Sequence, residues 1–135
     1  MNLVIDTNVF ISALIKDGIT QEIITNMKTN LLFPEFEFDE IKKHKGEVIE
    51  KSGLSEKEFD ILLLRLLNYV RIIPGDISFK FKKQAEEIIG NIDKDDVIFI
   101  ATALAFNARI WSDDRHFQKQ KAIEVLTTKQ ILGVF

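Results

Sequence analysis

Short apolar runs alternating with segments of helical periodicity are the feature that most restricts what this chain can fold into. Leu3-Val4-Ile5, Leu31-Leu32-Phe33, Arg71-Ile72-Ile73, Arg109-Ile110-Trp111 and the run from Ile123 to Leu126 are strand candidates. The first two lack any polar alternate, which suits strands buried on both faces. Between them lie helical patterns over Val9 to Ile15 and Ile19 to Met27, separated by Asp17-Gly18, and over about Glu37 to Lys51, closed by Ser52-Gly53. Further helices are expected from Ser55 through Leu67, from Phe79 to Ile89, from Asp95 to about Asn107, and from Thr128 onward. Strands that alternate with helices imply a parallel sheet covered on both sides, a three-layer α/β/α arrangement with about five strands.

Local signals support these boundaries. Ser55 and Glu58 form a capping box, in which the hydroxyl accepts from the backbone and the carboxylate reaches back. Pro34 stops the second strand, Pro74-Gly75 reads as a turn after the third, and Asp93 is placed to cap the next, strongly apolar helix. The 135 residues contain no internal repeat or low-complexity tract, and the expectation is one domain over 1–135. With 11 phenylalanines the core should be rich in aromatic rings.

Composition removes several function classes. There are no cysteines, which excludes disulfides, thiolate zinc sites and cysteine nucleophiles, and suits a reducing cytoplasm. The opening Met1 to Phe10 has no basic stretch and reaches Asp6 early, so no signal peptide is expected, and no apolar run approaches the ~18 residues of a membrane span. The formal net charge of −3 argues against gripping nucleic acid by bulk charge. It does not argue against meeting a phosphodiester through bound cations, whose charge inverts the local electrostatics.

The acidic residues carry the chemistry. In an open parallel sheet, ligands bind beyond the carboxyl ends of the strands. Asp6 directly follows the first strand, Asp113-Asp114 follows the strand ending at Trp111, and Asp95-Asp96 opens a helix. Carboxylates converging in a cleft repel one another, and cations relieve the repulsion. Hard oxygen ligands select Mg²⁺ or Mn²⁺, and one or two such ions can activate a water and stabilise a leaving oxygen. Each residue has a plainer role as well: Asp6 ends a strand, Asp96 favours a helix N-terminus, Asp113 and Asp114 form turns. Glu40 sits among Glu37, Asp39 and Glu47, where a solvated helix face is the default. Only His44 and His116 are available for a Ser-His-Asp arrangement, and neither phosphate-binding glycine loop is present.

Four segments, in order, resemble the PIN-domain family. Leu3 to Phe10 looks like that family's opening strand and first acidic residue; Asp39-Glu40-Ile41 sits where it carries a helical Glu. Asp96 to Ala103 is similar to its Asp followed by Ala-Thr-Ala, and Trp111 to Phe117 to its Thr/Ser-x-Asp stretch. The resemblance spans essentially the whole chain. It implies a five-stranded parallel sheet in the order 3-2-1-4-5, and it makes Asp6, Glu40, Asp96 and Asp114 the metal-binding, catalytic carboxylates, with Glu37 and Asp39 as alternatives to Glu40. Asn8 and Ser112 match supporting polar positions, and Arg115 and His116 are candidate substrate contacts. Members are commonly Mg²⁺- or Mn²⁺-dependent endoribonucleases acting on single-stranded or structured RNA, often homodimers, and many are toxins paired with an antitoxin protein. One departure is His116, which stands where some members carry Asp.

Lys42, Lys43, His44 and Lys45, and again Lys80, Lys82 and Lys83, are either solvated helix faces or phosphate-guiding patches. Trp111 ends a buried strand and belongs to the core. The helix bearing Leu62, Leu63, Leu64, Leu66 and Leu67 is apolar over more than one face, as core or as an interface. Three other functions compete: a non-catalytic interaction module on the same fold; a phosphoaspartyl hydrolase, which needs a second acid where Asn8 stands; and a receiver-type module using Asp76 and Lys129.

Overall fold

In the computed structural model, which describes residues 1–15, 18–90 and 94–134, five parallel strands form one sheet. They are β1 (Asn2–Ile5), β2 (Asn30–Pro34), β3 (Val70–Ile73), β4 (Arg109–Trp111) and β5 (Val125–Leu126), in the order β3-β2-β1-β4-β5. Among the described residues the helices are α1 (Thr7–Leu14), α2 (Gly18–Asn26), α3 (Phe38–Lys43), α4 (Lys45–Ser52), α5 (Glu56–Leu67), α6 (Gly75–Phe79), α7 (Lys82–Ile89), α8 (Val97–Phe106) and α9 (Thr128–Val134). The α/β class, the layering and the strand order all agree with expectation. None of the described helices is long and apolar enough to cross a membrane.

The two-residue period of a strand explains the layers. Leu3 and Ile5 of β1, Leu31 and Phe33 of β2 and Trp111 of β4 point to one side, into a core shared with α1, α2, α4 and α5. Val4, Leu32 and Ile110 point to the other side, against α7 and α8. Phe10 stacks on Phe33 with ring centroids 5.4 Å apart, and Phe99 meets Phe117 edge-on at 6.0 Å. Trp111 is fully buried, and its indole N–H donates to Thr128 Oγ1 at 2.9 Å. Helix α8 is apolar all round because neighbours cover most of it: six of its residues are buried, Thr102 among them.

Several boundaries differ from the sequence expectation. The helix anticipated over Glu37 to Lys51 is a 3-10 turn, Glu35–Glu37, followed by α3 and α4 with a break at His44. Gly46, about 1 kcal/mol worse than Ala inside a helix, weakens continuity there, and the His44 carbonyl instead starts α4 by accepting from Val48 N–H at 2.9 Å. Pro74-Gly75 does not make a simple turn but opens α6, with Pro74 at its N-cap. The capping box on α5 is present in both directions. Along α5, Phe59 and Leu66 are buried and Leu62, Leu63 and Leu67 pack on the core, whereas Ile61 and Leu64 are 49% and 65% exposed. Asp17 and the expected Asp93 cap lie outside the described residues.

A candidate metal centre at the carboxyl edge of the sheet

Strands β1 and β4 are neighbours, and the ladder continues one step past both. Asp6 N–H donates to Trp111 O at 3.0 Å, and Ser112 N–H to Leu126 O at 3.0 Å. The residues that leave these strands are therefore held side by side at the carboxyl edge. Ser112, completely buried, donates its hydroxyl to Asp6 Oδ2 at 2.7 Å and accepts the Asp114 N–H at 3.0 Å. One hydroxyl thus orients one carboxylate and fixes the turn that carries another.

The turn also separates Asp113 from Asp114. Asp113 accepts from Thr128 N–H at 2.8 Å and from Thr128 Oγ1 at 2.7 Å, which spends its carboxylate on the start of α9. Asp114 is close enough to Asp6 for its charge to act on that carboxyl, and its Oδ1 accepts the His116 N–H at 2.9 Å. Asp96, at the head of α8, is buried. One ligand atom each from Asp96, Asp114 and His116 lies within 4.8 Å of the other two. His116 thus stands within the acidic cluster, where the sequence offered it as a substrate contact. Its neighbour Arg115 is exposed.

Asp6 is only 4% exposed. Burial pushes its carboxyl above the usual range, and the charge of Asp114 pushes the same way; the Ser112 hydroxyl and the backbone N–H groups of Asn8 and Thr7 pull it down. Desolvation wins. Asn8 therefore assists Asp6 through its main chain, and its exposed side chain borders both hollows that flank Asp6. One hollow, of about 250 Å³, runs between Asp6, Ser12 and Asp114. The other, of about 210 Å³, is walled by Asp6, Glu37, Glu40, His44, Asp95 and Asp96.

Both helix-side glutamates reach this second cleft, in different ways. Glu40 lies on its exposed rim, with Lys43 Nζ at 3.0 Å from Oε1. Glu37 is half-buried in the 3-10 turn and accepts from Thr7 Oγ1 at 3.0 Å. Burial raises its carboxyl, and the charges of Glu40, Asp6 and Asp95 add to the rise. The Thr7–Glu37 contact was not anticipated from the sequence; a Thr in the first turn after the strand-end Asp was its one visible trace. Asp39 is exposed and absent from the cleft walls. Most of the basic segment beside Glu40 is already paired: Lys43 with Glu40, His44 with Glu47, and Lys45 with Glu56 and Asp60.

The donor set suits a hard divalent cation. Two carboxylates and an imidazole this close can hold a divalent cation, and a cation beside Asp6 would favour the charged form that burial disfavours.

No relative among curated proteins matches the chain. A solved structure that resembles it is the crystal structure of VapBC2 from Rickettsia felis bound to a DNA fragment from their promoter, with a TM-score of 0.66 over 94% of this chain and 98% of that one. At 15% identity, this likeness speaks for the fold alone. The family profile of the PIN domain matches residues 4–132, from the first strand to the last helix. The chain belongs to the PIN-domain family.

Proposed function

We propose that this protein is a divalent-metal-dependent endoribonuclease, a single nuclease domain over residues 1–135 that hydrolyses phosphodiester bonds in single-stranded or structured RNA. PIN domains are generally metal-dependent nucleases. The observation that carries the proposal is the convergence of Asp96, Asp114 and His116 ligand atoms within 4.8 Å, beside buried Asp6. In this reading Asp6, Asp96 and Asp114 hold one or two Mg²⁺ or Mn²⁺ ions with Glu40 as the helix-side carboxylate, and Ser112 and Asn8 position Asp6. A bound divalent cation supplies charge neutralisation at the phosphate and a water of lowered pKa. The chain's own part is to hold the carboxylates without reorganisation, which the Ser112 hydroxyl does for Asp6 and Asp114 together.

A toxin role, acting in the cytoplasm as a homodimer and restrained by an antitoxin protein, fits the same reading. The likeness to a chain of the VapBC2 assembly and the exposed Ile61 and Leu64 of α5 support it.

The decisive experiment is cleavage of a single-stranded RNA by the purified chain. Activity should require Mg²⁺ or Mn²⁺, vanish with EDTA, and fall on the order of 10³-fold or more in Asp6→Asn, the loss of several kcal/mol of transition-state stabilisation. Absence of both divalent-metal binding and metal-dependent cleavage overturns the proposal. A thermal melt separates this from unfolding. Because burial raises the folded-state pKa of Asp6, its charged form destabilises the metal-free fold at neutral pH. Asp6→Asn should therefore raise Tm at neutral pH. It should leave Tm unchanged below the usual carboxylate range, where Asp6 is protonated whether folded or unfolded.

A further inference from the structure

A third hollow adjoins the acidic cleft and shares two of its walls. It measures about 370 Å³ and is lined by Phe36, Phe79 and Lys82 along with Glu37 and Asp95, which also border the cleft. Its aromatic rings are conspicuous because they are not core: Phe36 is 56% exposed and Phe79 61%. Two phenyl rings left in water, on a chain that buries most of its large side chains, mark a surface with a use.

Phe36 leans on the start of α6. Its ring lies against Gly75 so closely that any Cβ there would collide with it. The Gly75 N–H also donates to Glu35 Oε2 at 2.9 Å, which ties the 3-10 turn to the start of α6. Glycine at position 75 is what lets the ring approach the backbone so closely. Phe79 ends α6, and Lys82 Nζ sits 5.3 Å from its ring centroid. The other contact of that ammonium, Glu86 at 3.8 Å, is exposed and weak, so the charge can turn to a phosphate.

We infer that this groove holds a nucleobase of the RNA next to the scissile phosphate, with Phe79 and Phe36 as stacking surfaces and Lys82 on the backbone. The placement rests on the nuclease reading, which puts the phosphate in the acidic cleft one wall away. The charge balance makes stacking the contact such an occupant needs. The chain carries a net charge of −3, and Lys43 and Lys45 near Glu40 are paired with carboxylates, so bulk attraction supplies little of the affinity. Stacking can: it contributes about 1–3 kcal/mol per base and tolerates any sequence.

The test uses the full chain carrying Asp6→Asn, so that RNA is bound but not cut, and a short single-stranded oligoribonucleotide containing the fluorescent base 2-aminopurine. Stacking should quench the fluorescence on binding. Adding Phe79→Ala or Phe36→Ala should each weaken binding on the order of tenfold and abolish the quench. Phe79→Trp should keep both, and Phe79→Leu, apolar without an aromatic face, should lose the quench. Unchanged melting temperatures are expected for these exposed positions. Equal affinity and equal quench in the Phe→Ala variants overturn the inference, as does failure of the parent to bind the oligonucleotide. Loss of binding to a co-purified antitoxin with RNA binding intact overturns it too, and makes the groove a protein-docking surface. Phe-dependent binding without metal-dependent cleavage by the wild-type chain would sink the nuclease reading and leave the groove. Cleavage with kcat/KM indifferent to both rings would do the reverse.

Discussion

The carboxylates at the ends of the strands and those on the helical side of the cleft face the same space, yet they are held by opposite means. Asp6 and Asp114 emerge from adjacent strands and are joined through one buried hydroxyl, that of Ser112. Glu37 and Glu40 rise from a short 3-10 turn and a six-residue helix, and Glu40 is matched to a flexible lysine in open solvent. The strand side is fixed by the hydrogen-bonded ladder before any ligand arrives. The helix side is adjustable, because an exposed ion pair is worth about 0–1 kcal/mol and yields to a stronger partner. On the proposed reading, the strand side of such a cleft is preformed for a cation and the helix side can adjust to it.

The sharpest way to break this comparison is to exchange the two helix-side glutamates in importance. Glu40→Gln should lower kcat/KM for RNA on the order of 100-fold, because a ligand lost from a metal site removes several kcal/mol at the transition state. Glu37→Gln should cost less than about tenfold, the scale of one hydrogen bond, since the amide still accepts from Thr7 Oγ1. The readout is single-turnover cleavage together with Mn²⁺ affinity by calorimetry. If Glu37→Gln abolished metal binding while Glu40→Gln left it intact, the ligand would be the half-buried glutamate and the adaptable rim would have no catalytic part.

On the strand side, Ser112→Ala tests whether prior fixation matters. It removes the donor to Asp6 Oδ2 and the acceptor of Asp114 N–H in a fully buried place. Metal affinity should fall about tenfold or more, and the fold should lose about 1–2 kcal/mol by denaturant titration. Ser112→Thr keeps the hydroxyl and should restore most of both. A variant that lost stability but kept its metal affinity would show that Asp6 does not depend on its hydrogen bond for orientation.

The same contrast explains how much could be read from the sequence. Strand-end residues are legible because a strand is short, local and followed at once by its exit: Leu3-Val4-Ile5 predicts where Asp6 lies, and Trp111 predicts Ser112 and Asp114. The helix side was legible only in part. Glu37 reads as the first residue of a regular helix, but Pro34 is succeeded by a 3-10 turn, and His44 divides α3 from α4. Both shifts depend on tertiary packing that periodicity does not encode. Phe36 and Phe79 were not singled out in the sequence, because nothing in the local pattern tells an exposed ring from a core one. Nothing local announces that Gly75 would receive one ring from a segment far away in sequence, and that the other would face water. His116 joined the acidic cluster because two residues beyond Asp114 the chain turns back on it, a return fixed by the His116 N–H to Asp114 bond.

The mildest perturbation probes the adjustable half directly. Lys43 is exposed, and Glu40 with Asp39 and Glu37 raises its pKa, so it is charged at neutral pH and competes with a cation for the Glu40 carboxylate. Lys43→Ala removes the competitor and little else. Stability should change by no more than about 1 kcal/mol, as for other exposed pairs, and Mn²⁺ affinity should rise by a factor below about five. The gain should shrink in high salt, because the pair it releases is already screened there. A rise in affinity that persists at high salt would point to a geometric obstruction by the lysine chain, and a fall would make Lys43 a contributor to the site in its own right. Either result would mean that Glu40 is not held in reserve by its ion pair, and the helix side would have to be regarded as being as rigidly arranged as the strand side.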